Sequence, residues 1–220
     1  MIGLDAAAAA AGLVGILFWV LLWVLLWVLA AGRSWLVRWG ATDAERRAAM
    51  PGDALFPAAP SSVTHAISID APPDDVWPWI VQIGQGRGGF YSYAALENLL
   101  GARMRNADAI EPDLQSLAVG DAIPIHPRLD PFFVDAIDAG RSLVLRGDAG
   151  AVAGTSWAFS LAPSGERGTR LVARMRIHRG GEGAPGRAVS LLWSVLVLEP
   201  GHSIMERRML LGVAVRAERR

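Results

Sequence analysis

APPDDVWPWIVQIGQGRGGFYSYAALENLLG, residues 71–101, decides between two folds. Its centre, GQGRGG at residues 84–89, has the G-x-G-x-x-G spacing of a dinucleotide-binding turn, and Asp108 follows at about the right distance. That fingerprint needs a strand before the first glycine and a helix opened by the third. The residues in front read otherwise. Pro72 and Pro73 suit a helix start, and Asp74 and Asp75 suit its first turn. Val76, Trp79, Ile80 and Ile83 recur at i, i+3, i+4, i+7, one face of a helix. Pro78 is tolerable near a helix N-terminus and would break a central strand. On the other side, Gly89 runs into Phe90-Tyr91-Ser92-Tyr93, and the next helix starts later, with Ser92 as its expected cap. GQGRGG therefore reads as a turn between two helices, and a nucleotide fold is excluded.

The flanking chain supports that reading. VTHAISI at 63–69 alternates, placing Val63, His65, Ile67 and Ile69 on one face. After residue 120 come DAIPI, PFFVDAID, RSLVLRGD, TSWAFSLAP and TRLVARMRIH, separated mostly by short turns such as DAGR and SGERG. This is a run of antiparallel hairpins without βαβ alternation. Trp157, Phe159 and Leu161 share a face, as do Leu171, Ala173, Met175 and Ile177. Arg170, Arg174, Arg176 and His178 share the opposite face, which reads as a solvated surface, or one drawn to anionic lipid. After the breaker-rich GGEGAPG, AVSLLWSVLVL at 188–198 is apolar but too short to span a bilayer. EPGHSIMERRMLLGVAVRAERR then reads as a helix apolar on more than one side that follows a hinge; its extra apolar surface is expected either to pack on residues 33–62 or to act as a gate that meets the membrane.

At the other end, Ala6–Gly32 carries no charge over 27 residues. A helix of that length exceeds a hydrocarbon core of roughly 30 Å. The flank MIGLD has no Arg or Lys, against a secretory signal. Residues 6–32 are expected to be a transmembrane helix. Arg33, Arg38, Arg46 and Arg47 follow it, so the rest of the chain is expected in the cytoplasm, at a bacterial inner membrane. Trp19, Trp23 and Trp27 form a stripe facing lipid or another helix. Residues 33–62 read as a juxtamembrane connector and 63–220 as the soluble domain.

Composition removes several chemistries. There is no cysteine, so disulfides, thiolate metal sites and cysteine nucleophiles are excluded. Formal net charge is 0, giving no global case for nucleic acid. All 21 basic residues are arginine, a GC-rich bacterial codon bias. His65, His126, His178 and His202 show no ligand spacing, so no metal is expected, and no cofactor. No G-x-S-x-G motif presents itself.

WGATDAE (39–45), MPGD (50–53), residues 71–101, MRNADAIEPDLQSLAVGD (104–121) and MERRMLLGVAVRAE (205–218) resemble a bacterial subgroup of the SRPBCC superfamily, the START and birch-pollen-allergen-like proteins that include polyketide cyclase/dehydrase and lipid-transport members. The resemblance covers about residues 40–218. It implies an α+β helix-grip fold, a curved antiparallel sheet around a long C-terminal helix with an apolar cavity between them. It also implies a hydrophobic small-molecule or lipid ligand. The expected ligand-binding residues are Arg87, Phe90, Tyr91, Tyr93, Glu97, Trp157, Phe159, Leu171, Ala173, Met175 and Ile177. Glu97 is the candidate acid or base for an alternative cyclase, dehydrase or hydrolase activity, unless it braces its helix by pairing with Arg87, Arg103 or Arg105. A further alternative is assembly with another membrane protein through the tryptophan stripe.

Overall fold

The computed structural model describes residue 15 and residues 19–23, 31–178 and 183–219. It divides the chain into Met1–Leu36 and Val37–Arg220. The expected transmembrane segment lies for the most part outside the described residues. Among the described residues no helix is long and apolar enough to cross a membrane.

The second unit contains α1 (Asp43–Arg47), β1 (Ser61–Ile69), α2 (Pro73–Val81), α3 (Ala94–Leu99), β2 (Ala122–Ile123), β3 (Phe132–Asp138), β4 (Ser142–Gly147), β5 (Thr155–Ser164), β6 (Gly168–Ile177), α4 (Gly183–Trp193) and α5 (Glu199–Ala217). Six strands make one antiparallel sheet in the order β1-β6-β5-β4-β3-β2. The period-2 alternation sets the register. Val63 lies opposite Met175 and His65 opposite Ala173, and Trp157 and Phe159 lie opposite the same two β6 residues from the other side. This inner face packs against α2 and α5, as in a helix-grip fold.

The segment before GQGRGG is indeed the helix α2, with Pro78 inside it and Val76, Trp79 and Ile80 buried. Gly84 and Gly89 pair across the turn, and Gln82, fully buried, ties it down from its carbonyl to Gly88 N at 2.7 Å. At Gly89, φ is 76°, and a Cβ would lie 2.5 Å from the Arg105 carbonyl oxygen, so only glycine fits.

Four expectations change. The arginine face of β6 is not solvated. Arg174 is 3 % exposed and donates to Thr64 Oγ1, Asp53 Oδ2 and the carbonyls of Glu45, Arg46 and Ala48. Arg170 holds Glu45 and the Gly40 carbonyl, and Arg176 holds the carbonyls of Phe56 and Pro57. The guanidiniums have exchanged water for backbone oxygens, because the segment from Val37 folds back across the outer face as a strap. The segment from Val37 to residue 60, expected to be a linker, is thus part of the folded unit. It begins by covering the open edge of β1, where Thr64 N and Ala66 N donate to the carbonyls of Val37 and Trp39.

The expected hinge before the last helix is absent from Gly183 onward. Helix continues through α4, a π-helical stretch at Ser194–Leu198, and α5. Pro200 falls at the start of α5, where its missing N–H costs little. Finally, Ser92 does not cap α3, since its hydroxyl donates to the Met205 carbonyl on α5 instead.

Candidate functional site

Between the inner sheet face, the Phe90–Met104 segment and α5 lies a cavity of about 380 Å³. The sheet supplies Phe132, Thr155, Trp157, Met175 and Ile177. The turn and α3 supply Phe90, Ser92, Glu97 and Met104, and Ile125, Leu129, Ala151 and Val152 close the side. Leu198, His202, Met205, Glu206 and Met209 come down from the helix. Trp157 is the centre of the aromatic wall, with ring centroids 5.7 Å from Phe90, 5.9 Å from Phe132 and 5.0 Å from Phe159.

Of the eleven expected ligand-binding residues, five border this space: Phe90, Glu97, Trp157, Met175 and Ile177. The other six do not. Phe159, Leu171 and Ala173 are on the correct face but are wholly buried in the core beneath the helix. Arg87 turns back on its own loop and donates to the carbonyls of Val81, Ile83 and Leu114. Tyr91 is buried in the opposite direction. Its hydroxyl donates to the Trp79 carbonyl, and its backbone, at φ 55°, is held by Asn106 Oδ1, which accepts from Tyr91 N at 2.8 Å. Tyr93 is 45 % exposed, with the Arg208 guanidinium 5.9 Å from its ring. The alternation of FYSY identified aromatic side chains without saying which of them the positive φ at Tyr91 would turn inward.

Glu97 faces the cavity without the arginine partner that would have made it a brace: among the described residues it forms no ion pair, and its buried Oε2 has no hydrogen-bond partner. Burial pushes its carboxyl above the usual carboxylate range.

The site holds a cluster that sequence reasoning missed. Glu206, 1 % exposed, projects from α5 to the wall of the cavity. Its Oε1 accepts from Trp157 Nε1 at 2.6 Å and lies 3.3 Å from His202 Nε2. Its Oε2 lies 2.6 Å from Nδ1 of His65, which the β1 alternation places on the inner face. Burial alone would raise the Glu206 carboxyl, but His202 and His65 outweigh it and hold the group well below the usual range, ionised. Two turns before Glu206, Glu199, also fully buried, accepts from Ser61 Oγ at 2.5 Å. His65 and His202 are 137 residues apart in the chain (202 − 65), so spacing alone could not pair them. The readable signal was His202 and Glu206 at i, i+4 within an apolar helix. Among the described residues no group of acidic and histidine side chains is arranged to hold a metal ion.

No protein-family model matches the chain, and no curated protein does. Solved structures similar to it include the protein MLL2253 from Mesorhizobium loti, at 17 % identity over 72 % of this chain and 98 % of that one, TM-score 0.42. Another is the Polyketide_cyc-like protein Cgl2372 from Corynebacterium glutamicum, at 15 % identity over 73 % and 91 %, TM-score 0.33. A third is CalU16 from Micromonospora echinospora, at 16 % identity over 71 % and 83 %, TM-score 0.35. At these TM-scores the likenesses carry no argument about family or role. The helix-grip assignment itself stands on the strand order and the packing of α5.

Proposed function

We propose that the chain is a binding or transport module for a hydrophobic small molecule, lipid-like or polyketide-like in bulk. The observation that carries this reading is the cavity of about 380 Å³, whose walls are mostly Phe, Trp, Leu, Ile, Val and Met. Small-molecule sites are typically concave, roughly 300–1,000 Å³ in volume and largely apolar with a few placed polar groups. Native mass spectrometry of the purified full chain tests it. A co-purifying apolar molecule, or a thermal shift with long-chain lipids or aromatic polyketides, is the expected result. A chain that carries nothing and is shifted by nothing overturns it.

Tethering to a membrane belongs to the same proposal. Its support is the uncharged run Ala6–Gly32 and the arginines after it, which also favour a cytoplasmic domain. Val189, Leu192, Trp193 and Leu196, all more than half exposed at i, i+3, i+4, i+7, add an apolar stripe suited to a bilayer surface. Co-sedimentation with vesicles that is unaffected by Leu192→Asp with Leu196→Asp would remove that stripe from the account.

A second reading, an acid–base enzyme acting on an apolar substrate, is favoured by one observation: Glu97 is an unpaired carboxyl in the cavity, shifted toward neutral pH by burial. General acid–base assistance is worth roughly 10²–10⁴ in rate. Glu97→Gln is therefore expected to lower any turnover by about that factor while leaving binding intact, and an unchanged rate excludes this role.

A further inference from the structure

One helix of the fold is inside out. α3 turns its only charged side chain, Glu97, toward the cavity and its leucines toward solvent. Leu96, Leu99 and Leu100, at i, i+3, i+4, are 49 %, 81 % and 75 % exposed, and no residue of α3 is buried. A surface helix ordinarily does the reverse. The arrangement is pinned in place. Asn98 clamps the turn after α3 with both ends of its amide: Nδ2 donates to the Met104 carbonyl at 2.9 Å, and Oδ1 accepts from Met104 N. Gly101 N and Ala102 N donate back to the carbonyls of Asn98 and Glu97, and His126 Nε2 lies 3.2 Å from the Leu100 carbonyl oxygen. Gly101 and Arg103 take positive φ, 87° and 52°, so the chain reverses at once and returns Ala102 and Met104 to the core. Leu99 and Leu100 thus stand at the tip of an ordered turn. An apolar partner covers that tip without the cost of ordering a loop.

The charges around the tip select the partner. Across Tyr93–Met104 and Pro124–Leu129 the one acid is Glu97, which faces the cavity, and the cations are Arg103 and Arg128. Both arginines are exposed, and among the described residues neither forms an ion pair. Arg128 belongs to the turn that meets Leu100, its backbone N lying 3.1 Å from His126 Nδ1. The next acid, Asp130, lies against Gly150, where a Cβ would come 2.1 Å from its Oδ2. Exposed leucines bordered by unpaired arginines suit the interface of an anionic bilayer, with the apolar side chains at the acyl boundary and the cations among the phosphates. The chain also carries its own route to such a surface, the uncharged run Ala6–Gly32 of the tether proposed above.

Resting on that tether, we propose that Leu96, Leu99 and Leu100 form a wedge that enters the interface of an anionic bilayer, with Arg103 and Arg128 at the level of the phosphates. Glu97 and Met104, on the same segment, line the cavity, so the docked wedge brings that wall of the cavity to the lipid.

The chain has no cysteine, so a single introduced cysteine carries a unique label. The full chain is reconstituted into vesicles of phosphatidylcholine and phosphatidylglycerol, with an environment-sensitive nitrobenzoxadiazole dye at Leu99→Cys or, separately, at Glu166→Cys. Glu166 is exposed in the β5–β6 turn, about 30 Å along β5 from Thr155 at the cavity, at about 3.3 Å per residue. The label at 99 is expected to emit to the blue of the label at 166, and to be quenched by lipids spin-labelled at a depth of roughly 5–10 Å. Arg103→Gln with Arg128→Gln is expected to lower the ratio of docked to undocked wedge by about fivefold per arginine. Flotation of the chain with the vesicles while the label at 99 stays as wet as that at 166 overturns the wedge and leaves the tether standing. Shielding at 99 without quenching by lipid means that protein covers the tip, and also overturns the wedge. Quenching that the arginine variant leaves unchanged overturns the anionic bilayer as the partner. A chain that does not float with the vesicles overturns both wedge and tether.

Discussion

Replacing Arg174 with methionine isolates the strap that lies across the outer sheet face. Methionine keeps most of the apolar stem and removes the guanidinium. What is lost is a side chain 3 % exposed that makes five hydrogen bonds, at 2.7–3.2 Å, to Thr64, Asp53 and the carbonyls of Glu45, Arg46 and Ala48. Removing one partner of a buried ion pair typically costs about 3–5 kcal/mol. Asp53 keeps the Met50 amide and a longer contact to Arg176 at 3.4 Å, which places the expected loss near the lower end, about 3 kcal/mol. For a chain of this length that corresponds to roughly 6–12 °C in Tm. The assay pairs thermal unfolding with limited trypsinolysis. Arg174 ties down the Glu45 and Arg46 carbonyls, so cleavage after Arg46 and Arg47 is expected to accelerate in Arg174→Met before the rest of the domain is cut. A loss under about 1 kcal/mol, the scale of an exposed pair, with unchanged cleavage would refute the claim that residues 37–60 are part of the fold.

Gly212→Ala places a Cβ 2.4 Å from the Tyr91 carbonyl oxygen, where α5 crosses the α2–α3 turn, and is expected to cost about 1–3 kcal/mol in urea unfolding; a neutral result would mean the helix can shift. Glu97→Leu removes a partly buried carboxyl whose Oε2 is unpartnered and is expected to stabilise by about 1 kcal/mol, with destabilisation contradicting the solitary geometry. Because the folded Glu206 carboxyl is depressed by its two histidines, its contribution is fully present above the unfolded value of about 4.3 and is lost as pH falls toward the folded value. Glu45, held at about 2 by the Arg170 hydrogen bond, acts in the same direction. Unfolding free energies measured from pH 6 to 3 should therefore fall less steeply in Glu206→Gln than in the parent; parallel curves would show that Glu206 is not ionised in the fold.

The sheet was legible in the sequence because its two faces differ in kind. Trp157, Phe159, Leu171, Met175 and Ile177 alternate with polar or small residues, and a one-residue slip would have exposed them all. The α2 turn was legible because Pro78 is incompatible with a central strand. The arginine face misled because its partners are backbone carbonyls of the strap, and a carbonyl carries no signature in the sequence. The polar end of the cavity was hidden for a different reason. His65, His202 and Glu206 become neighbours only when β1 and α5 pack, and a lone histidine in an alternating strand looks like any half-buried residue. The helix boundary failed locally: glycine and proline at 183–186 suggested a breaker, but at the first turn of a helix neither removes a needed bond.

The central claim is that the space beneath α5 receives an apolar molecule. Titrating the full chain with 2-naphthol, in the parent and in Val152→Trp, tests it most directly, because Val152 borders the cavity and is 5 % exposed, so an indole there takes up the space itself. The account predicts saturable one-to-one binding in the parent that is lost in the filled variant while its circular dichroism is unchanged. Equal binding in both proteins would place the probe on the apolar surface and contradict the cavity as the site.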